Sequence, residues 1–276
     1  MSYDAFIANR ILGEKRQKGE QVAIEKAKPK RKRMKRFLIA MGIVIAVLAA
    51  GFAWYVNDYS HADDDALAAV ADAEGAADGV TVQTLAGGEI AFVPAHANAG
   101  LIFYPGGKVQ PEAYAPLLTK CAQEGILCVL VKPLFNLAIF DVDAASGIEK
   151  QFPEIDEWLI GGHSLGGVTA SMYLANHDGE FSGIVFLAAY PSEDLSNVDV
   201  RALSIVGNND GVLDRKKYNE AESKMPSHVQ EVVIDGGNHA NYGNYGTQAN
   251  DGEATISRED QQTQTAIAIA DLAESA

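Results

Sequence analysis

The longest apolar run of the chain lies near its N-terminus, where twenty residues from Phe37 to Val56 carry no charged side chain. A helix of about twenty apolar residues is long enough to cross the hydrocarbon core of a bilayer. Trp54 and Tyr55 stand at one end of the run, and aromatic side chains favour the membrane interface. The pattern therefore predicts a single transmembrane helix over 37–56.

The charges on the two sides of this run differ in sign. The segment 26–36 before it has the sequence KAKPKRKRMKR, whereas Asp58 and Asp63–Asp65 follow it. Because positively charged flanks stay in the cytoplasm, we expect a cytoplasmic N-terminus and an extracytoplasmic remainder, held at the cell membrane. A cleaved signal peptide is the alternative, although its apolar region usually has only about 7 to 15 residues.

The same pattern divides the rest of the chain. Residues 1–36 form a basic tail with little apolar periodicity, which predicts at least partial disorder as far as Pro29. Residues 57–79 are acidic and rich in alanine, which is typical of a spacer or a loose helix. The globular domain is expected over residues 80–276.

Within that domain, short apolar runs alternate with longer segments of helical periodicity, which predicts a mostly parallel sheet with helices on both faces. The predicted strands are Val80–Thr84, Glu89–Val93, Leu101–Tyr104, Leu127–Lys132, Trp158–Gly161, Ile184–Ala188, Leu203–Val206 and Val229–Ile234. The predicted helices are Glu112–Gln123, a weak one at Ala144–Phe152, Gly166–Asn176 and Gln261–Leu272. The connection before Leu203 is too short for a helical lid, so we expect an open site.

Charge and cysteine content narrow the function classes. Residues 1–36 contain twelve Lys and Arg against four Asp and Glu, and the remainder contains ten against thirty-three. Such an acidic domain repels phosphate backbones, so nucleic-acid binding is not expected. Cys121 and Cys128 are the two cysteines, too few for a multi-cysteine metal site. They could form one disulfide in an oxidising compartment or be two buried thiols.

The sequence Gly162-His163-Ser164-Leu165-Gly166 matches the G-x-S-x-G pattern of a nucleophile elbow. Small residues flank the serine there because a strand must turn sharply into a helix. The predicted strand at 158–161 and the predicted helix from 166 supply this context. We therefore predict Ser164 as the nucleophile; the alternative is a glycine-rich turn with a capping serine.

A serine hydroxyl needs a base to take its proton. Of the six histidines, His239 follows the last predicted strand, in Gly236-Gly237-Asn238-His239, where a loop returns to the carboxyl edge of the sheet. The base in turn needs a carboxylate that fixes its tautomer. Asp210 follows the strand at 203–206 and is the preferred candidate, with Asp214 and Asp235 as rivals; Asp214 suits a helix N-cap.

The oxyanion of an acyl-transfer reaction needs backbone N–H donors. The sequence predicts one donor at Leu165, directly after the serine. It predicts a second at Gly107 or Lys108, in the loop Pro105-Gly106-Gly107-Lys108 that follows the strand at 101–104. A plain glycine turn is the alternative for this loop.

The segment from Ala240 to Glu259 is long for a connection and has no predicted helix or strand, which suggests a functional loop. It contains Tyr242 and Tyr245. We expect these two tyrosines to line a substrate pocket beside His239. The alternative is a surface loop without a functional role.

With these motifs in order, residues 100–272 resemble the α/β-hydrolase superfamily, and more narrowly a small, lidless, dienelactone-hydrolase-like bacterial group with FYPGGKV, GGHSLGG and GGNHANYG motifs. The resemblance implies a mostly parallel sheet of about eight strands. It also implies ester or related acyl hydrolysis by Ser164, His239 and Asp210, without a metal or organic cofactor. Pro105-Gly106 stands where many relatives have an HG dipeptide, so the chain departs from the family pattern at the loop of the second predicted oxyanion donor.

The predicted function is a membrane-anchored serine hydrolase that acts on a small-molecule or lipid ester through an acyl-enzyme intermediate. An acyltransferase would use the same triad with an alcohol or thiol acceptor in place of water. A third hypothesis is a binding domain that keeps the fold without turnover.

Overall fold

The structure is a computed structural model that describes residues 3–71 and 79–275. The chain forms two compact units, one ending at Asn57 and the other beginning at Asp58. The first unit consists of one helix, α1 (Tyr3–Asn57). The second unit contains the sheet and the candidate site.

Helix α1 includes the predicted transmembrane run. Its segment Lys32–Asn57 is long and apolar enough to cross a membrane. The most apolar 18 consecutive residues of this segment have a mean hydropathy of 2.5, and none of them is buried. The basic tail, for which the sequence predicts partial disorder, is helical from Tyr3 onward. Its many Lys, Arg, Glu and Ala residues have high helix propensity, which accounts for the difference.

The acidic segment after α1 differs from a free spacer. Helix α2 (Asp64–Ala71) begins with two aspartates, which favour a helix N-terminus, and it buries Ala66. Ser60 forms a parallel bridge with Val109. The second compact unit therefore begins at Asp58, well before the predicted boundary at residue 80. Residues 72–78 of the predicted spacer lie outside the described residues.

The predicted eight-stranded, mostly parallel sheet is confirmed. Its strand order is β1-β2-β4-β3-β5-β6-β7-β8. The pairs β1·β2 and β2·β4 are antiparallel and the others are parallel. The strands are β1 (Val80–Thr84), β2 (Ile90–Pro94), β3 (Ala99–Tyr104), β4 (Ile126–Leu130), β5 (Trp158–His163), β6 (Gly183–Leu187), β7 (Arg201–Gly207) and β8 (His228–Ile234).

Both faces of the sheet are covered, which explains why the central strands are apolar along their whole length. The remaining α-helices are α3 (Ala115–Gln123), α4 (Leu165–Leu174), α5 (Arg215–Glu220) and α6 (Arg258–Glu274). Alternate residues of β3 point to opposite faces. Leu101 and Phe103 join the core cluster that includes residues of α3 and α6, and Ile102 and Tyr104 join the cluster that includes residues of α4.

Two helical predictions need correction. The predicted helix at 112–123 begins with a 3-10 turn, Pro111–Tyr114, before α3. The weak helix predicted at 144–152 consists instead of two 3-10 turns, Val142–Ala145 and Glu149–Gln151, because the segment between them turns at Gly147 with φ 75°. Cys121 and Cys128 are both buried free thiols.

The parallel strands bring the candidate chemistry to one edge of the sheet. The loops after β3, β5, β7 and β8 all leave from the carboxyl ends of these strands. In open α/β sheets, ligands bind at this edge. A bound ligand is therefore expected at this edge.

Candidate active site

Ser164 lies at the turn between β5 and α4, in a backbone conformation with φ 52° and ψ −120°. An L-residue rarely adopts this conformation, and such strain is typical of functional sites. The Ser164 N–H donates to the Leu187 carbonyl of β6 at 2.9 Å, and the Ser164 carbonyl accepts from Gly167 at 3.1 Å. The main chain of the serine is therefore fixed on both sides, and its side chain remains half-exposed.

The glycines of this turn are required by close approach of the backbone. A Cβ atom on Gly162 would lie 2.5 Å from the Tyr104 carbonyl oxygen, and one on Gly166 would lie 2.2 Å from the same atom. Neither contact is sterically possible. The G-x-S-x-G spacing therefore allows β5 to turn into α4 directly against β3, as a nucleophile elbow requires.

His239 and Asp210 meet in the interior beside this turn. The Nδ1 of His239 and the Oδ2 of Asp210 are 2.8 Å apart, and their side chains are 2% and 0% exposed. The other oxygen of Asp210 accepts from the Val212 and Leu213 N–H groups, each at 2.8 Å. An ionised Asp210 therefore makes Nδ1 of His239 the protonated nitrogen, so that Nε2 can accept a proton.

The pKa of Asp210 lies below its ordinary value. Burial by itself raises the pKa of this carboxyl, but the hydrogen bond and charge of His239, together with the Leu213 and Val212 N–H groups, outweigh burial. The carboxylate form is thus stabilised. Among the described residues, His239 Nε2 has no hydrogen-bond partner and is buried. This nitrogen has an unused acceptor position at the edge that carries Ser164.

Asp214 and Asp235, the alternatives to Asp210 as partner of His239, have other contacts. Asp214 is the N-cap of α5, where its side chain accepts from the Lys217 N–H at 3.2 Å. Asp235 accepts a hydrogen bond from the Asn208 side chain. Of the three candidates from the sequence, the structure thus brings Asp210 to His239.

Asp251 is a site residue that sequence reasoning missed. Its Oδ1 accepts from the backbone N–H groups of His239, at 3.1 Å, and Gly211, at 3.2 Å, and its Oδ2 accepts from Ala240 at 2.8 Å. One carboxylate thus joins the loop that holds the histidine to the loop that holds Asp210. The position of Asp251 in a polar run, without a motif, gave no signal of this contact.

The loop Pro105–Lys108, here called the PGG loop, lies against the start of α4. A Cβ atom on Gly107 would lie 2.7 Å from Leu165 Cδ2, so glycine is needed for this approach. Lys108 has φ 59°, and its N–H donates to the Asn136 carbonyl at 2.7 Å. Within the described residues, no acceptor binds the N–H groups of Leu165 or Gly107. Of the two alternatives for the second donor, Gly107 is therefore the available one.

The contact between Tyr114 and His163, beside the PGG loop, was also not predicted from the sequence. The Tyr114 hydroxyl accepts from the Gly106 N–H at 3.0 Å and lies 2.8 Å from Nδ1 of His163. The pKa of His163 is well below its ordinary value, because burial disfavours the charged ring and His239 is close, with ring centroids 4.5 Å apart. The neutral ring of His163 can accept a hydrogen bond from the Tyr114 hydroxyl at Nδ1, which connects the elbow to the PGG loop.

The structure places the two predicted pocket tyrosines in the core. Tyr242 is 0% exposed, and its hydroxyl donates to the Ile205 carbonyl at 3.1 Å. Tyr245 is 7% exposed, packs near Tyr114 and donates to the Gln248 side chain. The loop after His239 folds back against the sheet, so these rings support the site from behind and do not wall an open pocket.

The surroundings of Ser164 agree with an uncovered site. Between β6 and β7, residues 188–200 are described and contain no helix, so no helical lid is inserted there. In the part of the chain that the structure describes, no group of three or more His, Cys, Asp or Glu side chains is arranged to hold a metal ion.

The chain is similar in fold to several solved structures. The TT1662 structure from Thermus thermophilus superposes with a TM-score of 0.52 at 13% identity, over 71% of this chain and 98% of that one. A predicted CIB-like hydrolase from Thermoplasma acidophilum gives 0.49 at 15% identity, over 70% and 100%. Est1E from Butyrivibrio proteoclasticus gives 0.47 at 12% identity, over 70% and 99%. None of the curated proteins compared with the chain matches it.

A family model gives the stronger result. The model of the alpha/beta hydrolase family matches residues 100–263, which is more than half of the chain. The matched segment contains the PGG loop, the elbow at Ser164, Asp210 and His239. The chain therefore belongs to the alpha/beta hydrolase family.

Proposed function

We propose that this protein is a membrane-anchored serine hydrolase that cleaves an ester bond with Ser164, His239 and Asp210. Family membership supports a hydrolase. The observation that carries the proposal is the buried His239–Asp210 pair, 2.8 Å apart, at the sheet edge where the strained elbow presents a half-exposed Ser164.

The first step is attack by the serine. Ser164 Oγ forms a bond to the acyl carbon of the ester, and its proton passes to Nε2 of His239. The resulting imidazolium is stabilised by the Asp210 carboxylate, whose pKa is lowered in the folded protein. Burial of the pair strengthens this attraction, since the local dielectric is low.

The charge that develops on the carbonyl oxygen needs donors that are already in place. Gly107 packs against the Leu165 side chain, and the N–H groups of both residues have no protein acceptor among the described residues. Leu165 also opens α4, so the positive end of the helix dipole lies at the same point. We assign these two groups to the oxyanion.

Three further proton transfers complete the reaction. The bond to the leaving alcohol breaks, and His239 gives its proton to that oxygen, which leaves an acyl ester on Ser164. A water molecule then attacks the acyl carbon and its proton passes to His239. Ser164 Oγ takes this proton back as the carboxylic acid leaves, which restores the starting state.

The proposed location follows from helix α1. The helix is long and apolar enough to cross a membrane. The basic cluster precedes its apolar part and an acidic segment follows it, so we place the N-terminus in the cytoplasm and the hydrolase unit outside. The substrate is a small-molecule or lipid ester reached from that side.

The test compares the full chain, purified in detergent, with Ser164→Ala. We expect the wild type to be labelled by a fluorophosphonate probe and to hydrolyse short and medium p-nitrophenyl esters, and Ser164→Ala to do neither. Ser223→Ala, a change at an exposed serine, is the matched control and should behave as the wild type. A folded wild type that is inert in both assays would exclude an activated Ser164.

Two further measurements separate the remaining alternatives. Product analysis with and without an added alcohol distinguishes hydrolysis from acyl transfer, because a transferase forms the new ester in preference to the acid. Extraction of cell membranes with alkaline carbonate tests the anchor. A retained helix keeps the protein in the membrane pellet, whereas a cleaved signal releases a shorter chain.

A further inference from the structure

The segment Asp58–Ala62, the first part of the hydrolase unit, lies along the PGG loop and the two residues after it. The Ser60 N–H donates to the Lys108 carbonyl at 2.8 Å, and the Ser60 carbonyl accepts from the Gln110 N–H at 2.8 Å. The Ala62 N–H donates to the Gln110 side chain at 3.1 Å. Nζ of Lys108 and a carboxylate oxygen of Asp58 are 2.8 Å apart.

Two of these contacts, from Ser60 and Asp58, are made to Lys108, whose backbone is strained. Lys108 has φ 59°, in the left-handed region that a residue with a Cβ atom seldom occupies. Such a conformation persists where neighbouring groups hold it. The N–H of Lys108 is bound by Asn136, and its carbonyl is bound by Ser60. The position of Gly107, one residue earlier, therefore depends on both partners.

We propose that the segment Asp58–Ala62 is a positioning element of the active site, which holds the Gly107 N–H at the oxyanion. This inference rests on the proposed function of the PGG loop. Its physical basis is that a backbone donor stabilises a transition state only when it is fixed at the correct distance before the reaction. The segment acts through the loop and does not itself touch the substrate.

A positioning role of this kind has a specific kinetic signature. The oxyanion forms in the transition state, so a displaced Gly107 lowers kcat and leaves KM nearly unchanged. Binding of an arylboronic acid, which forms a tetrahedral adduct on serine, should weaken by the same factor as kcat falls. A loss of packing alone would lower stability without a matched decrease in kcat and in boronic acid affinity.

The first comparison uses Ser60→Pro and Ser60→Ala in the full chain. Both remove the hydroxyl, but only proline removes the N–H that binds the Lys108 carbonyl. We expect kcat of Ser60→Pro to be about 10-fold below that of Ser60→Ala, less than the loss of a whole donor would cause. Equal kcat values for the two variants would overturn the proposal.

The second comparison does not depend on a proline. Gln110→Ala removes the side-chain acceptor of the Ala62 N–H, and Gln83→Ala, at an exposed position in β1, is its control. We expect a lower kcat with a matched weakening of boronate binding for Gln110→Ala, and wild-type values for Gln83→Ala. A Gln110→Ala variant with wild-type kcat and boronate affinity contradicts the proposal even if Ser60→Pro fails to fold.

Hydrogen–deuterium exchange of the peptide that covers residues 105–110 tests the contact without an activity assay. We expect faster exchange in Ser60→Pro than in Ser60→Ala. Unchanged exchange would overturn the positioning role of the segment. Faster exchange with unchanged kcat would overturn the oxyanion role of the loop, so the two failures are distinguishable.

Discussion

The carboxylate of Asp251 accepts a hydrogen bond from the backbone N–H of His239, with 3.1 Å between Oδ1 and the nitrogen. The same carboxylate accepts from Gly211, one residue after Asp210, and from Ala240. His239 and Asp210 are thus connected twice, once directly by their side chains and once through the Asp251 carboxylate. This second connection fixes the two loops relative to each other.

Replacing Asp251 should lower activity without touching the proposed triad. Alanine leaves the N–H groups of His239, Ala240 and Gly211 without their acceptor, and each lost hydrogen bond to a charged group costs about 1.5–3 kcal/mol. We expect Asp251→Ala to lower both the unfolding temperature and kcat/KM for p-nitrophenyl esters. Asp251→Asn keeps one acceptor oxygen and should fall between. Glu253→Gln, in the same loop but exposed, should match the wild type; equal values for all variants would contradict the prediction.

Asp210→Asn should remove most of the catalysis while the protein stays folded. An amide can donate to Nδ1 of His239, which leaves the proton on the wrong nitrogen and removes the charge that stabilises the imidazolium. A loss of about 10⁴-fold in kcat is expected for such a change. Asp235→Asn is the matched control, since Asp235 contacts Asn208 and not the histidine. Similar kcat values for the two variants would show that Asp210 is not the carboxylate that assists His239.

The buried His163 should make the folded protein less stable in mild acid. Its pKa in the folded state is well below 6.5, chiefly because burial disfavours the charged ring, whereas the unfolded chain binds a proton near 6.5. Stability is therefore full above pH 6.5 and falls as the pH decreases toward the lower, folded pKa, by at most about 1.4 kcal/mol per pH unit.

The measurement for this prediction is the unfolding temperature of the full chain in detergent at pH 7 and at pH 5. We expect the decrease between the two pH values to be smaller in His163→Gln than in the wild type. His228→Gln, at an exposed position, should show the same decrease as the wild type. An unchanged decrease in His163→Gln would mean that this ring is not the group that titrates.

Tyr114→Phe should affect both the PGG loop and stability. The change removes the acceptor of the buried Gly106 N–H and the partner of His163 Nδ1. An unsatisfied buried N–H costs about 1–3 kcal/mol, so the unfolding temperature should fall. Since Gly107 follows Gly106, kcat should fall as well, by about 10-fold. Tyr190→Phe, at a half-buried tyrosine, is the control; wild-type values for Tyr114→Phe would exclude this role.

The sequence was informative about the sheet because the signal is local and repeated. Each strand from β3 to β7 is a short apolar run bounded by polar or glycine-rich residues, and burial on both faces requires that composition. The elbow was equally visible, since the close approach of Gly162 and Gly166 to Tyr104 requires glycine at fixed positions. The order of the strands and of the candidate site residues along the chain could therefore be predicted from the sequence.

The structure was needed for contacts between distant segments. The sequence left three carboxylates open, and the turn after β7 determines that Asp210 meets a histidine 29 residues away. The sequence also left open whether Gly107 or Lys108 is the second oxyanion donor. In the structure, the Lys108 N–H is already bonded to the Asn136 carbonyl. Tyr242 and Tyr245 were expected at a pocket, but the fold of their loop buries them.

By itself, the sequence thus determined the fold class, the apolar helix and the residue types at one edge of the sheet. Periodicity and composition are properties of neighbouring residues, which a single chain displays directly. Only the tertiary structure decided which donor meets which acceptor, and it revealed the hydrogen bonds of Asp251, Tyr114 and the segment Asp58–Ala62. Hydrogen bonding depends on distances of a few tenths of an ångström between segments far apart in the chain, and no local pattern encodes them.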